Sequence, residues 1–355
     1  MDINRLLEII VKRNASDLHL VSGRPPMLRL NKELQIIPSY QELSEEEVKT
    51  LVLSLLNEEQ KISFLSNHEL DFSYSSKIDG FENRFRVNAY FQKNSVAASL
   101  RYIPCQKIRS FRELNLPESF SEFAKLNQGL VLITGPTGHG KTTTIATLIH
   151  EINMERNVHI VTIEDPIEYT YPKGKALISQ REMRGDTYSW EVALRSVLRE
   201  DPDVVFIGEM RDYETIAATL TIAETGHLVL ATLHTNSAAQ TIDRVVDVFP
   251  SHQQPQIRLQ FSNTLSGIIS QRLLPALNGS LVPAIEVLIS TPAVRTTIRE
   301  GKTHLIDNII QTSKDIGMIT LEEYLATLVS SGKVSLEIAR HYALRPEELR
   351  RFLKK

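Results

Sequence analysis

The chain has 355 residues, 42% of them apolar and 23% charged, too long for one typical domain and ordinary for a globular protein with a sizeable core. Its formal charge of −3 provides no global basic field to draw nucleic acid or anionic lipid. The single cysteine, Cys105, excludes an internal disulfide and a four-cysteine zinc site, and no apolar run approaches the roughly 20 residues of a membrane span.

The start M-D-I-N-R-L-L is acidic and has too short an apolar stretch for a signal peptide, so a cytoplasmic protein without membrane insertion is expected. Ile3, Leu6, Leu7 and Ile10 recur at helical spacing. Residues 17–20 and 27–30 read as short strands around the Gly23-Arg24-Pro25-Pro26 turn. Ser44 and Glu47 form a capping box for a helix carrying Val48, Leu51, Val52, Leu55 and Leu56. Strands are expected at 70–74, 84–91 and 96–102. In the second of these, Phe85, Val87, Ala89 and Phe91 alternate with Arg84, Arg86, Asn88 and Tyr90. A hairpin turn over 92–95 brings Arg86 near Arg101 on the polar face. Two solvated arginines explain that face as well as a pair aimed at an anion does.

A polar connection leads to buried-strand candidates at 130–134, 158–163, 204–208 and 228–232, separated by helical patterns. This alternation signals a parallel sheet with crossover helices. From about Pro292 the chain turns helical and charged. The expected organisation is α/β, with a small α+β domain over 1–104, a linker over 105–118, a P-loop domain over 119–291 and a helical region over 292–355.

Gly135-Pro136-Thr137-Gly138-His139-Gly140-Lys141-Thr142 follows the apolar run 129–134 and precedes a helical pattern through Ile145, Leu148, Ile149 and Ile152. Strand, glycine-rich loop and helix N-terminus together make a phosphate cradle built from backbone N–H groups. Lys141 suits the β- and γ-phosphates, Thr142 suits Mg²⁺, and Thr143 closes the binding loop. ATP and Mg²⁺ are the implied cofactors. In open α/β sheets, ligands lie beyond the carboxyl ends of the strands. There the expected strands run into Glu164-Asp165, into Glu209 with Arg211 and Asp212, and into His234. Glu209 is the candidate metal acid; being longer than the usual Asp, it is expected to reach Mg²⁺ through water. Glu164 is the candidate to position or deprotonate the attacking water. His234 and His227 flank one strand and are candidates to bond the γ-phosphate, although structural histidines are commoner there. Arg195, Arg199 and Arg244 fit a solvated face as readily as a subunit boundary.

These residues resemble a known family. The P-loop, Thr162-Ile163-Glu164-Asp165-Pro166-Ile167-Glu168-Tyr169, Gly208-Glu209-Met210-Arg211-Asp212, and Thr225-Gly226-His227 with Thr232-Leu233-His234-Thr235 look like the Walker A, Asp, Walker B and His boxes of type II secretion and type IV pilus ATPases. Ala15-Ser16-Asp17-Leu18-His19-Leu20 and the turn at Gly23 are similar to the PilT-like retraction subgroup. So is Ala293-Val294-Arg295-Thr296-Thr297-Ile298-Arg299-Glu300, with departures at Thr296 and Thr297. The chain also lacks the extra domain and four-cysteine motif common in assembly and secretion members. His139 stands where the family commonly has Ser, at a position expected to tolerate it.

The resemblance implies a PAS-like N-terminal domain, a RecA-like ATPase domain and a homohexamer. Arg84, Arg86 and Arg101 would complete the nucleotide site. The ring would act through an inner-membrane platform protein at the cytoplasmic face, and so on the pilin fibre indirectly, to retract the pilus. Pilus assembly or secretion is the alternative within the family. A nucleic-acid translocase is the alternative outside it and would need a basic channel. A non-hydrolysing accessory subunit would be expected to lack Lys141, Glu164 or Glu209, and all three are present.

Overall fold

The computed structural model describes residues 2–30, 33–103 and 108–354; Cys105 lies outside them. The chain divides into two compact units, residues 1–107 with 168–170 and residues 108–167 with 171–355.

The first unit contains α1 (Ile3–Lys12), β1 (Asp17–Leu20), β2 (Met27–Leu30), β3 (Glu33–Ile36), α2 (Glu45–Leu53), α3 (Glu58–Asn67), β4 (Glu69–Ile78), β5 (Phe81–Gln92) and β6 (Ser95–Ile103). The strands form one antiparallel sheet in the order β3-β2-β1-β6-β5-β4. Leu6, Leu7 and Ile10 of α1, with Val48 and Val52 of α2, are buried together with Leu18, Phe85, Val87 and Leu100 from the sheet. Period-2 alternation therefore puts one face of β5 inside and leaves the arginine face outside.

Ser44 and Glu47 close the expected capping box. The helix stops at Leu53 rather than running to Leu56, and Leu55 and Leu56 are buried in the connection. The reason is a second capping box, Asn57 with Gln60, which opens α3. The strand β3 and the helix α3 are the elements of this unit that sequence periodicity does not reveal.

The second unit opens with a short helix, α4 (Ser121–Ala124), and β7 (Gly129–Thr134). It continues with α5 (Lys141–Glu155), β8 (His159–Glu164), β9 (Leu177–Glu182), α6 (Trp190–Val197), β10 (Val204–Ile207), α7 (Tyr213–Glu224) and β11 (Leu228–Leu233). Then follow α8 (Ala238–Asp247), α9 (Gln254–Thr264), β12 (Leu265–Pro275) and β13 (Leu281–Ile289). The helices α10 (Pro292–Arg299), α11 (Ile306–Thr312), α12 (Leu321–Ser330), α13 (Leu336–Tyr342) and α14 (Pro346–Leu353) complete it.

The sheet order is β13-β12-β7-β11-β10-β8-β9, parallel except for β13. Every residue of β7, β10 and β11 is buried, as strands covered on both faces must be. The four expected strands form within one residue of their expected limits. The edge strand β9 and the β12–β13 hairpin are additions. Asn278-Gly279, with Gly279 at φ 80°, is the hairpin signal between the two apolar runs.

Candidate nucleotide site

The P-loop is held open by glycine geometry. Gly135 has φ 141°, and a Cβ there would lie 2.1 Å from the Gln271 carbonyl oxygen. Gly140 sits at φ 80° as the cap of α5, the helix whose N-terminus follows the loop and carries the positive end of its dipole. Lys141 is buried, and its Nζ donates to the carbonyls of Gly135 (2.8 Å) and Pro136 (3.0 Å). The lysine is thereby curled back over the loop whose phosphates it would meet. Thr142 and Thr143 occupy the same first turn, each half-buried.

Sheet order decides which strand ends face this loop. The β11 strand lies beside β7, β10 follows it and β8 comes third. His234, just past β11, is therefore next to the P-loop. Its Nε2 donates to Glu209 Oε1 at 2.8 Å, and its Nδ1 faces Thr137 Oγ1 at 3.3 Å and Lys141 Nζ at 3.4 Å. The tautomer with its proton on Nε2 satisfies all three contacts. One imidazole thus joins the P-loop to Glu209.

Glu209 also accepts from Arg211 Nη2 at 2.7 Å. Burial pushes its carboxyl up, but the Arg211 bond and the charges of Arg211 and Lys141 outweigh that and hold it below the usual carboxylate range. Glu164, buried at the end of β8, accepts from Thr162 Oγ1 at 2.6 Å and Gln180 Nε2 at 3.1 Å. At three strand spacings, it lies about 14 Å across the sheet from the P-loop strand. Hard oxygen donors, the Thr142 hydroxyl and the ionised Glu209, fit Mg²⁺ shared with phosphates and water. Among the described residues no cluster of three or more His, Cys, Asp or Glu forms a protein-only metal cage.

His227 is not brought to this loop. It precedes β11, whose start pairs with Gly129 at the opposite end of the sheet, and its Nδ1 contacts Thr225 Oγ1 at 2.9 Å and the Ile222 carbonyl at 3.2 Å. Two histidines flanking one parallel strand are separated by that strand's length. Arg195 pairs with Glu191 on the exposed face of α6, and Arg244 donates to the Arg211 carbonyl.

In the first unit, Arg86 and Arg101 are direct cross-strand partners, as the hairpin register predicts, and Arg84 lies opposite Ile103. An anion does sit beside the pair. Asp17 of β1, itself opposite Arg101, accepts from Arg101 Nε at 2.9 Å and is 3.7 Å from Arg29 Nε. Burial raises the Asp17 carboxyl, whereas bonds from Ser16 and Arg101 lower it below its ordinary value.

Sequence reasoning overlooks Thr137 as a partner of His234, and it overlooks Gln271. The latter accepts from Thr144 Oγ1 at 2.7 Å and donates to the His139 carbonyl at 2.9 Å, so β12 braces the loop. The departing Thr297 is buried in α10, and Thr296 accepts from Arg299 on the exposed side.

A family model described as "Type II/IV secretion system protein" matches residues 1–328. The chain is 46% identical, over 98% of its length and 99% of the relative's, to the type IV pilus retractation ATPase PilT of Pseudomonas aeruginosa. It is 45% identical to a twitching motility protein of Neisseria gonorrhoeae, over 91% of this chain and 86% of that one. Its fold is similar to the crystal structure of the pilus retraction motor PilT with bound ADP, at a TM-score of 0.91 and 42% identity over 99% of both chains. The second unit is thus a RecA-like ATPase fold, and the chain belongs to the type II/IV secretion system protein family.

Proposed function

We infer that this chain is the ATP-hydrolysing motor that powers type IV pilus retraction. Its similarity to retraction ATPases along nearly the whole length supports the pilus assignment. The observation that carries the chemistry is the His234 bridge between the P-loop and Glu209.

Lys141 exchanges the Gly135 and Pro136 carbonyls for β- and γ-phosphate oxygens, while the loop's N–H groups take the rest of the charge. Thr142 and Glu209 would hold Mg²⁺, which would supply positive charge against the phosphates. Glu164 orients water for in-line attack on the γ-phosphorus and accepts its proton as the bond to the ADP oxygen breaks. His234, bonded to Glu209 and facing Thr137 and Lys141, registers the loss of the γ-phosphate. His227 belongs outside this step. Arg84, Arg86 and Arg101 serve turnover in a homohexamer, supplying positive charge to the phosphates of a neighbouring copy. The ring docks on an inner-membrane platform protein at the cytoplasmic face. Among the described residues no helix is long and apolar enough to cross a membrane.

The test is genetic. A strain deleted for this gene is expected to keep surface pili and lose their retraction, and the Lys141→Ala chain should fail to restore it. A bald deletion strain would instead indicate assembly.

A further inference from the structure

The P-loop residue that departs from the family has a set of contacts of its own. His139 Nδ1 accepts the backbone N–H of Leu273 at 2.9 Å, and its carbonyl accepts Gln271 Nε2 at 2.9 Å. Its ring lies edge-on to Tyr342 of α13, with centroids 6.4 Å apart and planes at 61°. Between those two β12 residues, Arg272 donates Nη1 to the Tyr342 carbonyl at 3.0 Å. Gln271 and Leu273 thus grip the loop while Arg272 grips the end of α13. A serine at 139 has neither the reach to accept the Leu273 N–H nor a ring to set against Tyr342.

We propose that His139 is a positioning residue for nucleotide binding, tying the tip of the P-loop to β12 and, through Tyr342, to the C-terminal helices. The tie needs a lone pair on Nδ1. The charged groups facing the ring are Arg272 from β12 and Lys141 from α5; Tyr342 faces it from α13. Burial first, then the charges of Arg272 and Lys141, hold the imidazole below its ordinary pKa, so the lone pair persists at neutral pH. A position that looks tolerant in the motif thereby becomes a link from the C-terminal helices to the phosphate loop.

The proposal rests on the P-loop being the nucleotide site, and Lys141→Ala is the control for that reading. ATP turnover and fluorescent ADP binding are measured on the full chain carrying His139→Ala, His139→Ser or His139→Asn. With the Leu273 N–H unpaired, His139→Ala and His139→Ser should raise the KM for ATP and weaken ADP binding about tenfold, with the loss falling on KM rather than kcat. Asn places its Oδ1 where Nδ1 stood, so His139→Asn should recover most of that affinity. Tyr342→Ala should raise KM as well, and should add little in the His139→Ala background.

An Asn variant no better than Ala, unchanged KM in both Ala and Ser variants, or full additivity with Tyr342→Ala would overturn the tie. If His139→Ala does not fold by thermal unfolding, the Ser and Asn pair decides. Normal turnover in Lys141→Ala would instead remove the site itself, which separates failure of the proposal from failure of the functional reading.

Discussion

Lys141, Glu209 and His234 form a linked set in which each polar group has a partner: backbone carbonyls for the lysine, Arg211 for the glutamate, and Glu209 for the imidazole. Lys141→Ala should lower ATP turnover by at least about 100-fold, because positioned charge on the phosphates is the main catalytic device in phosphoryl transfer. Phosphate release measured at saturating ATP checks it. Glu209→Ala and Glu164→Gln should retain ADP binding and lose turnover, with single-turnover assays separating the two steps. Normal turnover in both would remove the metal and water roles. The P-loop was legible from its motif, since the glycines and lysine are required wherever a backbone must wrap phosphate. The partner of His234 was not legible, because Thr137 and Glu209 meet it only through the sheet order.

At the scale of elements, the same residue type carries different constraints. Gly135→Ala must drive a Cβ into the Gln271 carbonyl and should cost at least about 2 kcal/mol, seen as a lower thermal midpoint together with lost ADP binding. Gly138 has open space where a Cβ would stand, with nothing within 4 Å, so Gly138→Ala should cost only the strain of its left-handed φ of 78°, about 1 kcal/mol. Equal losses at both positions would remove the role of β12 as a brace. In the first sheet, Arg86→Ala and Arg101→Ala should both slow hydrolysis. Only Arg101→Ala should also lower stability, by about 1 kcal/mol in thermal unfolding, because it strips a partner from the buried Asp17 while Arg29 and Ser16 remain. The register of this pair was legible from alternation and the hairpin turn; the counter-ion was not, since β1 is distant in sequence.

For the molecule as a whole, a charged cluster centred on the buried Glu286 and Glu322 helps join the C-terminal helices to the ATPase sheet. Glu286 of β13 accepts the Ala238 N–H at 2.7 Å, and Arg345 faces Glu286, Asp307 and Glu322. Burial, with Asp307 and Glu322 adding to it against the Ala238 bond and Arg345, pushes Glu286 up to about 7. A carboxyl raised from an unfolded value near 4.5 adds stability that is complete below that value and is lost as pH climbs through about 7. The loss approaches about 3 kcal/mol across that window. Glu286→Gln should therefore gain in thermal midpoint relative to wild type as pH rises from 5 to 8. A constant difference across that range would mean Glu286 does not titrate there.

What the sequence determined by itself was local: which runs are buried strands, where helices are capped, and that a lysine-bearing loop awaits phosphate. Periodicity, capping and glycine geometry act over a few residues, so they can be read from a few residues. What only the tertiary structure decided was adjacency. The order β7-β11-β10-β8 brings His234 to the loop, sets Glu209 behind it, leaves Glu164 farther across and sends His227 to the far end. It also lays β12 against the P-loop, giving His139 its partner at Leu273. Strand order is a property of long-range packing, and side chains 93 and 97 residues apart, as Lys141 and Thr137 are from His234, acquire a common chemistry only when the sheet sets them side by side.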